Sequence, residues 1–253
     1  MPIDDLLANL DVDKVRLKIK KNKWKSIECD IEDAENYILL EGKKYGNYSY
    51  PDMLISTRLK YFGQNWVDAH KKLRQENSFM LTIRQFADFL KLLKLGIAYN
   101  GLGNKLGGYD LDRIQDEVLM PEQREWLDAS FTITRSKVFY MAFNNKIGPK
   151  DNPIPTYDQR LGENILRHQR SIDFDKWLNT KNKLGLPIKK QKGDLYFNRP
   201  SNNSVTYFGV FQYAVPRKPS NPIGYVLGNC DMSFSYPNLG VRSAKNIQWQ
   251  YSL

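Results

Sequence analysis

Thr82 is followed three positions later by Gln85, and then by Phe86, Phe89, Leu90 and Leu93. A Thr with Gln at the third helical position forms a capping box, in which each side chain satisfies a backbone N–H that the first turn leaves unpaired. The apolar residues that follow recur on one helix face. This pattern predicts a helix from Thr82 to Leu95 whose stripe belongs to the core rather than to a cofactor. Just upstream, Asn65 suits a helix cap, and Trp66, Ala69 and Leu73 recur at helical spacing with lysines between them, predicting a helix from Asn65 to Asn77. Read together, these make two successive helices after a strand-like segment, with strand-like sequence further on.

The remaining segments are read on the same grounds. Residues 96–108 are glycine-rich, but Leu106 follows Lys105 and the preceding segment is helical, so neither a phosphate-binding loop nor a dinucleotide fingerprint is present. That segment is expected to connect helices. Asp110 to Leu119 reads as a short helix, and Glu125 to Phe131 leads into a strand in which Val138, Tyr140 and Ala142 oppose Phe139, Met141 and Phe143. Residues 144–159 carry three prolines and little periodicity, which predicts a long loop. Ile172 to Leu178 repeats a short helical pattern, with Asp173 and Asp175 placed where a helix dipole favours carboxylates. Near the start, Val15, Leu17 and Ile19 alternate with Arg16, Lys18 and Lys20, the period of a half-buried strand. Its cationic face fits two readings: a nucleic-acid patch with Trp24 as a stacking residue, or a solvated edge whose lysines discourage strand addition.

The stretch from Asn203 to Lys245 differs from the rest in composition. An apolar run from Val205 to Val215 is joined to Leu239–Ala244 by a segment dense in Tyr, Phe, Asn, Ser, Asp and Gly. Tyr and Phe supply stiff contact area at low entropic cost, while Ser, Asn and Gly adapt their hydrogen bonding, the mixture found in antibody contact loops. The stretch reads as a recognition face. Val205, Phe208, Val226, Leu227, Leu239 and Val241 are the expected scaffold, with Arg242 tying the last strand to the fold. The expected contact residues are Tyr207, Phe211, Tyr213, Tyr225, Asn229, Asp231, Ser233, Tyr236 and Asn238. The alternative is that these aromatics complete a core.

The ending Leu239-Gly-Val-Arg-Ser-Ala244, after Leu227-Gly-Asn-Cys230 and the Ser/Tyr/Asn-rich bridge, resembles the C-terminus of variable proteins of diversity-generating retroelements, of the archaeal or uncultured-bacterial kind. SFMLTIRQFADFLKLL, EWLDASF and DFDKWL followed by GLP fit the same resemblance, which spans roughly residues 45 to 245. It implies an α+β architecture, a C-type lectin fold with two helices packed on small antiparallel sheets and loop insertions. Residues 1–44 would be an N-terminal extension, residues 45–253 the lectin-like domain, and residues 203–245 the variable region. In such proteins adenines of a template repeat are replaced at random, so an Asn codon becomes Tyr, Ser, Asp, Gly or others. The implied function is binding of varied targets, an unidentified protein or cell-surface ligand, through the diversified surface.

Chemistry is sparsely provided for. The two histidines, His70 and His168, are far apart, and no GxSxG, HExxH or CxxC occurs, so hydrolase and thiol-redox classes lack their usual parts. Formylglycine-generating enzymes share the lectin architecture and a similar C-terminal pattern, but they require a cysteine pair where this chain has Cys230 alone. Calcium-dependent sugar binding would need a Glu-Pro-Asn or Gln-Pro-Asp loop followed by Trp-Asn-Asp. Ser220-Asn-Pro222 and Tyr236-Pro-Asn238 match neither, so recognition without metal or cofactor is expected and an enzyme is not. Cys29 and Cys230 are too few for a disulfide framework. The net charge of +10 attracts polyanions, which keeps nucleic acid open as an alternative partner through the basic N-terminal region. No apolar run reaches membrane-spanning length, and Met1 to Asp13 lacks a secretory leader, so a soluble protein is expected, cytoplasmic or displayed on a surface or virion.

Overall fold

The structure is a computed structural model and describes residues 33–121, 123–163, 165, 170–188, 193–212 and 223–247. The alternating stretch around Leu17, Trp24, Cys29, His168 and Tyr213 lies outside the described residues. The first elements are strands β1 (Tyr37–Leu40), β2 (Lys43–Tyr45), β3 (Tyr48–Tyr50) and β4 (Met53–Lys60). Then come helix α1 (Trp66–Gln75), the short strand β5 (Phe79–Met80), and helices α2 (Ile83–Lys94) and α3 (Gly108–Val118). Strands β6 (Arg124–Ile133), β7 (Phe139–Ile147), β8 (Pro153–Arg160) and β9 (Arg170–Ile172) precede helix α4 (Phe174–Leu178). The chain closes with β10 (Leu195–Phe197), β11 (Ser204–Gln212), β12 (Ile223–Asp231) and β13 (Leu239–Asn246).

The helices begin where their caps are. The Asn65 side chain accepts from the Asp68 N–H at 2.9 Å, and α1 buries Trp66, Ala69, His70 and Leu73. At α2 both halves of the capping box form: the Gln85 N–H donates to the Thr82 hydroxyl, and the Thr82 N–H donates to Gln85 Oε1 at 2.9 Å. Asp173 caps α4 by accepting from the Lys176 N–H at 2.9 Å. Residues Arg170–Ile172 form β9, so the helix starts two residues after the predicted Ile172.

The architecture is α+β, but its sheets are not small. An eleven-stranded sheet runs in the order β1-β4-β13-β6-β11-β12-β10-β9, with β5 on β13, β7 on β6 and β8 on β7, and β2 and β3 form a separate hairpin. Continuity comes from β6, which is long enough to take β13 along Arg124 and Glu125 and β7 along Ala129–Ile133 while holding β11 as well. Two pairings are parallel, β13 with β6 and β10 with β12. The predicted loop at residues 144–159 is also corrected: it holds the end of β7, the turn and most of β8, with Asn145 opposite Pro155 and Ile147 opposite Pro153. Among the described residues β8 pairs only with β7 and is an edge there, where proline's missing N–H breaks no ladder bond.

Two apolar cores lie against this sheet. The larger includes Ile38, Leu40, Phe86, Phe89, Phe131, Phe143, Trp177, Leu195, Phe208, Val210 and Leu227. The smaller joins Trp66, Ala69, Leu73, Met80, Trp126, Val205, Leu239 and Val241, with Tyr207, Cys230, Met232 and Phe234 packed against it. Along β11, Phe208 and Val210 enter the first core while Val205 enters the second, as the period of two requires of a strand covered on both faces. Arg242 ties β13 to its neighbours, donating from Nε to Glu125 Oε2 at 3.3 Å and from Nη1 to the Ser56 carbonyl at 2.8 Å. Among the described residues, no helix is long and apolar enough to cross a membrane.

Candidate functional site

The candidate face is built on the ends of β6, β11 and β12 and on the turn into β13. Tyr207 of β11 lies in register between Trp126 on β6 and Gly228 on β12. A Cβ on Gly228 would fall 2.8 Å from the Tyr207 ring, so the glycine is what lets the ring lie against β12. The ring is half-buried. Burial raises the Tyr207 hydroxyl's pKa, with the Arg124 guanidinium opposing. Arg124 spans two aromatics, its guanidinium carbon 5.7 Å from the Tyr207 ring centre and 4.9 Å from that of Tyr236. Such a cation over two π faces fixes both rings at modest cost in side-chain freedom. Tyr236 meets Phe234 edge to face at 4.3 Å and is 41% exposed.

The turn carrying Tyr236 is held by its own polar groups. Asp231 accepts from the Ser233 N–H at 2.8 Å and from its hydroxyl at 2.6 Å, and these bonds lower the Asp231 pKa. The Phe234 N–H donates to the Asp231 carbonyl, the Leu239 N–H to the Tyr236 carbonyl, and the Arg124 N–H to the Asn238 carbonyl. The segment is thus an ordered Asx-type turn rather than a loose loop.

Of the sequence-predicted contact residues, Tyr207, Asp231, Ser233, Tyr236 and Asn238 gather around this turn and Arg124. Asn229 lies elsewhere: it is opposite Thr206 in register, alternate to Gly228 across the sheet, and donates to the Ser204 hydroxyl at 3.2 Å. Phe211 is opposite Gly224 in the ladder, Tyr225 is opposite the buried Val210, and Tyr213 lies outside the described residues. Arg124 and Phe234 were not among the predicted residues. Phe234 sits inside the aromatic-rich run and was legible as a neighbour of Tyr236. Arg124 comes from a distant strand, and only the pairing of β6 with β11 and β13 brings it here.

Among the described residues, the other candidates for chemistry are buried or engaged elsewhere. Buried His70 has Nε2 3.5 Å from Asp128 Oδ1, beneath the edge of Trp66, and Asp128 accepts from the Asn145 N–H at 2.8 Å. Asp173 caps α4, and Asp175 pairs with Lys94. Cys230 is a free, half-buried thiol whose pKa is pushed up to about 12 by burial and then by Asp231, which disfavours the reactive thiolate. Among the described residues, no group of three or more His, Cys, Asp or Glu side chains could hold a metal ion. Comparison with protein-family models, with curated proteins and with solved structures finds no match to this chain.

Proposed function

We propose that this chain is a recognition protein whose C-terminal face binds varied protein targets without metal, and that the face is diversified in the manner of retroelement variable proteins with a C-type lectin fold. The observation that carries the reading is the Tyr207–Arg124–Tyr236–Phe234 cluster, half-exposed aromatics fixed over the smaller core by a cation and an ordered turn. Anchored aromatics and arginine are the residue types that dominate binding energy at protein interfaces, with their neighbours chiefly excluding water. The two capped helices that follow β4 and lead into a sheet closed by the last strand support the lectin-like architecture. An oxidoreductase centred on Cys230 is disfavoured by its raised thiol pKa and by the absence of a partner cysteine in the C-terminal part.

Sequencing the source locus tests the diversification. The expected result is a near-copy of the segment encoding residues 203–245, differing mainly at adenines, beside a reverse transcriptase gene. A locus with neither would remove this reading.

A further inference from the structure

The β2–β3 hairpin, α2 and the segment after α4 line an open cleft of about 630 Å³. Among the described residues four lysines line it: Lys43 and Lys44 from β2, Lys91 from α2, and Lys181. Among them one carboxylate, Asp88, sits at its base, and its acceptor capacity is already committed. Asp88 accepts from Lys43 Nζ at 2.9 Å, from the Tyr45 hydroxyl at 2.8 and 2.9 Å and from the Tyr50 hydroxyl at 2.7 Å. It also accepts from Arg84 Nε and Nη2 at 3.2 and 3.1 Å. Asp88 carries one negative charge against Arg84 and Lys43, so among the described lining residues the charges of Lys91 and Lys181 have no further carboxylate to offset them.

We infer that this cleft binds a small phosphorylated molecule, its phosphate oxygens accepting from Lys91 and Lys181. The volume falls in the range of small-ligand pockets. Lysine ammonium groups on flexible stems are suited to phosphate as point charges. Lys91 is already positioned, donating to Asn179 Oδ1 at 2.6 Å, and Lys43 is held by Asp88. Burial, followed by the charge of Lys43, lowers the Lys91 pKa, and an anion beside it would favour the charged form. The inference is independent of the C-terminal face.

The test is calorimetric titration of the full chain with inorganic pyrophosphate at low salt, with a thermal-shift series alongside. The expected result is saturable binding and a melting temperature that rises with the logarithm of pyrophosphate concentration. Lys91→Gln and Lys181→Gln should each weaken binding about tenfold or more, while Lys150→Gln, at the exposed β7–β8 turn, should not. Gln at position 91 can still donate toward Asn179, so the variants are expected to fold, and their unliganded melting curves verify it. No saturable binding at low salt, or equal binding by a Lys91→Gln/Lys181→Gln double variant, would overturn the inference. So would binding to single-stranded DNA or to phosphoinositide vesicles that pyrophosphate neither reproduces nor displaces.

Discussion

Asp88 shows how one buried residue can be both costly and well supported. Its carboxylate is nearly inaccessible, and burial alone would raise its pKa. The charges of Arg84 and Lys43 and the hydrogen bonds from Tyr50 and Lys43 outweigh burial, so the group is held below the usual carboxylate range. Asp88→Asn would leave the Arg84 guanidinium buried without its counter-charge, and a loss of about 3–5 kcal/mol in urea unfolding near neutral pH is expected. Because the folded-state pKa is depressed, this contribution is present above the unfolded value of about 4 and is lost as pH falls through the folded one. The stability gap between wild type and Asp88→Asn should therefore shrink on acidification below about pH 4, and a gap that widened there would refute the assignment. Cys230 offers a second check at this scale. In a Cys29→Ser background, its alkylation at about pH 8 should be at least about a hundredfold slower than that of free cysteine, since burial pushes its thiol up to about 12. A rate equal to the free amino acid's would reopen a thiol chemistry.

At the scale of elements, the helices depend on local signals that a sequence displays directly. Thr82→Ala removes the hydroxyl that accepts from the Gln85 N–H and also meets the Tyr48 hydroxyl at 3.3 Å. The expected cost is about 1 kcal/mol, or roughly 2–4 °C in Tm for a chain of this size, and no change in Tm would show that the cap contributes nothing. Asn65 and Thr82 with Gln85 could be read in advance because a cap and its partner lie within one turn of each other, whereas Asp173 read as a first-turn carboxylate and proves to be the cap itself. The β7–β8 hairpin could not be read so, because Pro153 and Pro155 argue against a strand until one knows that β8 is an edge. The single large sheet was hidden for a related reason: β6 is joined to β13 by a parallel pairing between segments far apart in the chain. The candidate face was legible as a composition around Tyr207 and Tyr236. Its division between faces was not, because the sides taken by Asn229 and Gly228 follow from a register fixed by the opposite strand, and Arg124 arrives only through that register.

Across the whole molecule, the last strand is inserted between early and middle ones: β13 lies between β4 and β6, with β5 sharing the edge that meets β6. The interior beneath the candidate face is therefore closed by residues from the length of the described chain, including Trp66, Trp126, Val205 and Leu239. The residues above it, Asp231, Ser233 and Tyr236, are exposed and add little to that interior. This separation is what would let a surface vary while a fold persists, since exchanges at ordinary surface sites usually stay within about 0.5 kcal/mol. The most direct measurement is a surface-display library of the full chain, randomised at Asp231, Ser233, Tyr236 and Asn238 and sorted first for folding by protease resistance and then for binding to a panel of unrelated proteins. The account predicts that most members remain protease-resistant and that different sequences at these four positions are recovered against different targets. A library in which most members unfold, or from which no target selects a binder, would contradict it.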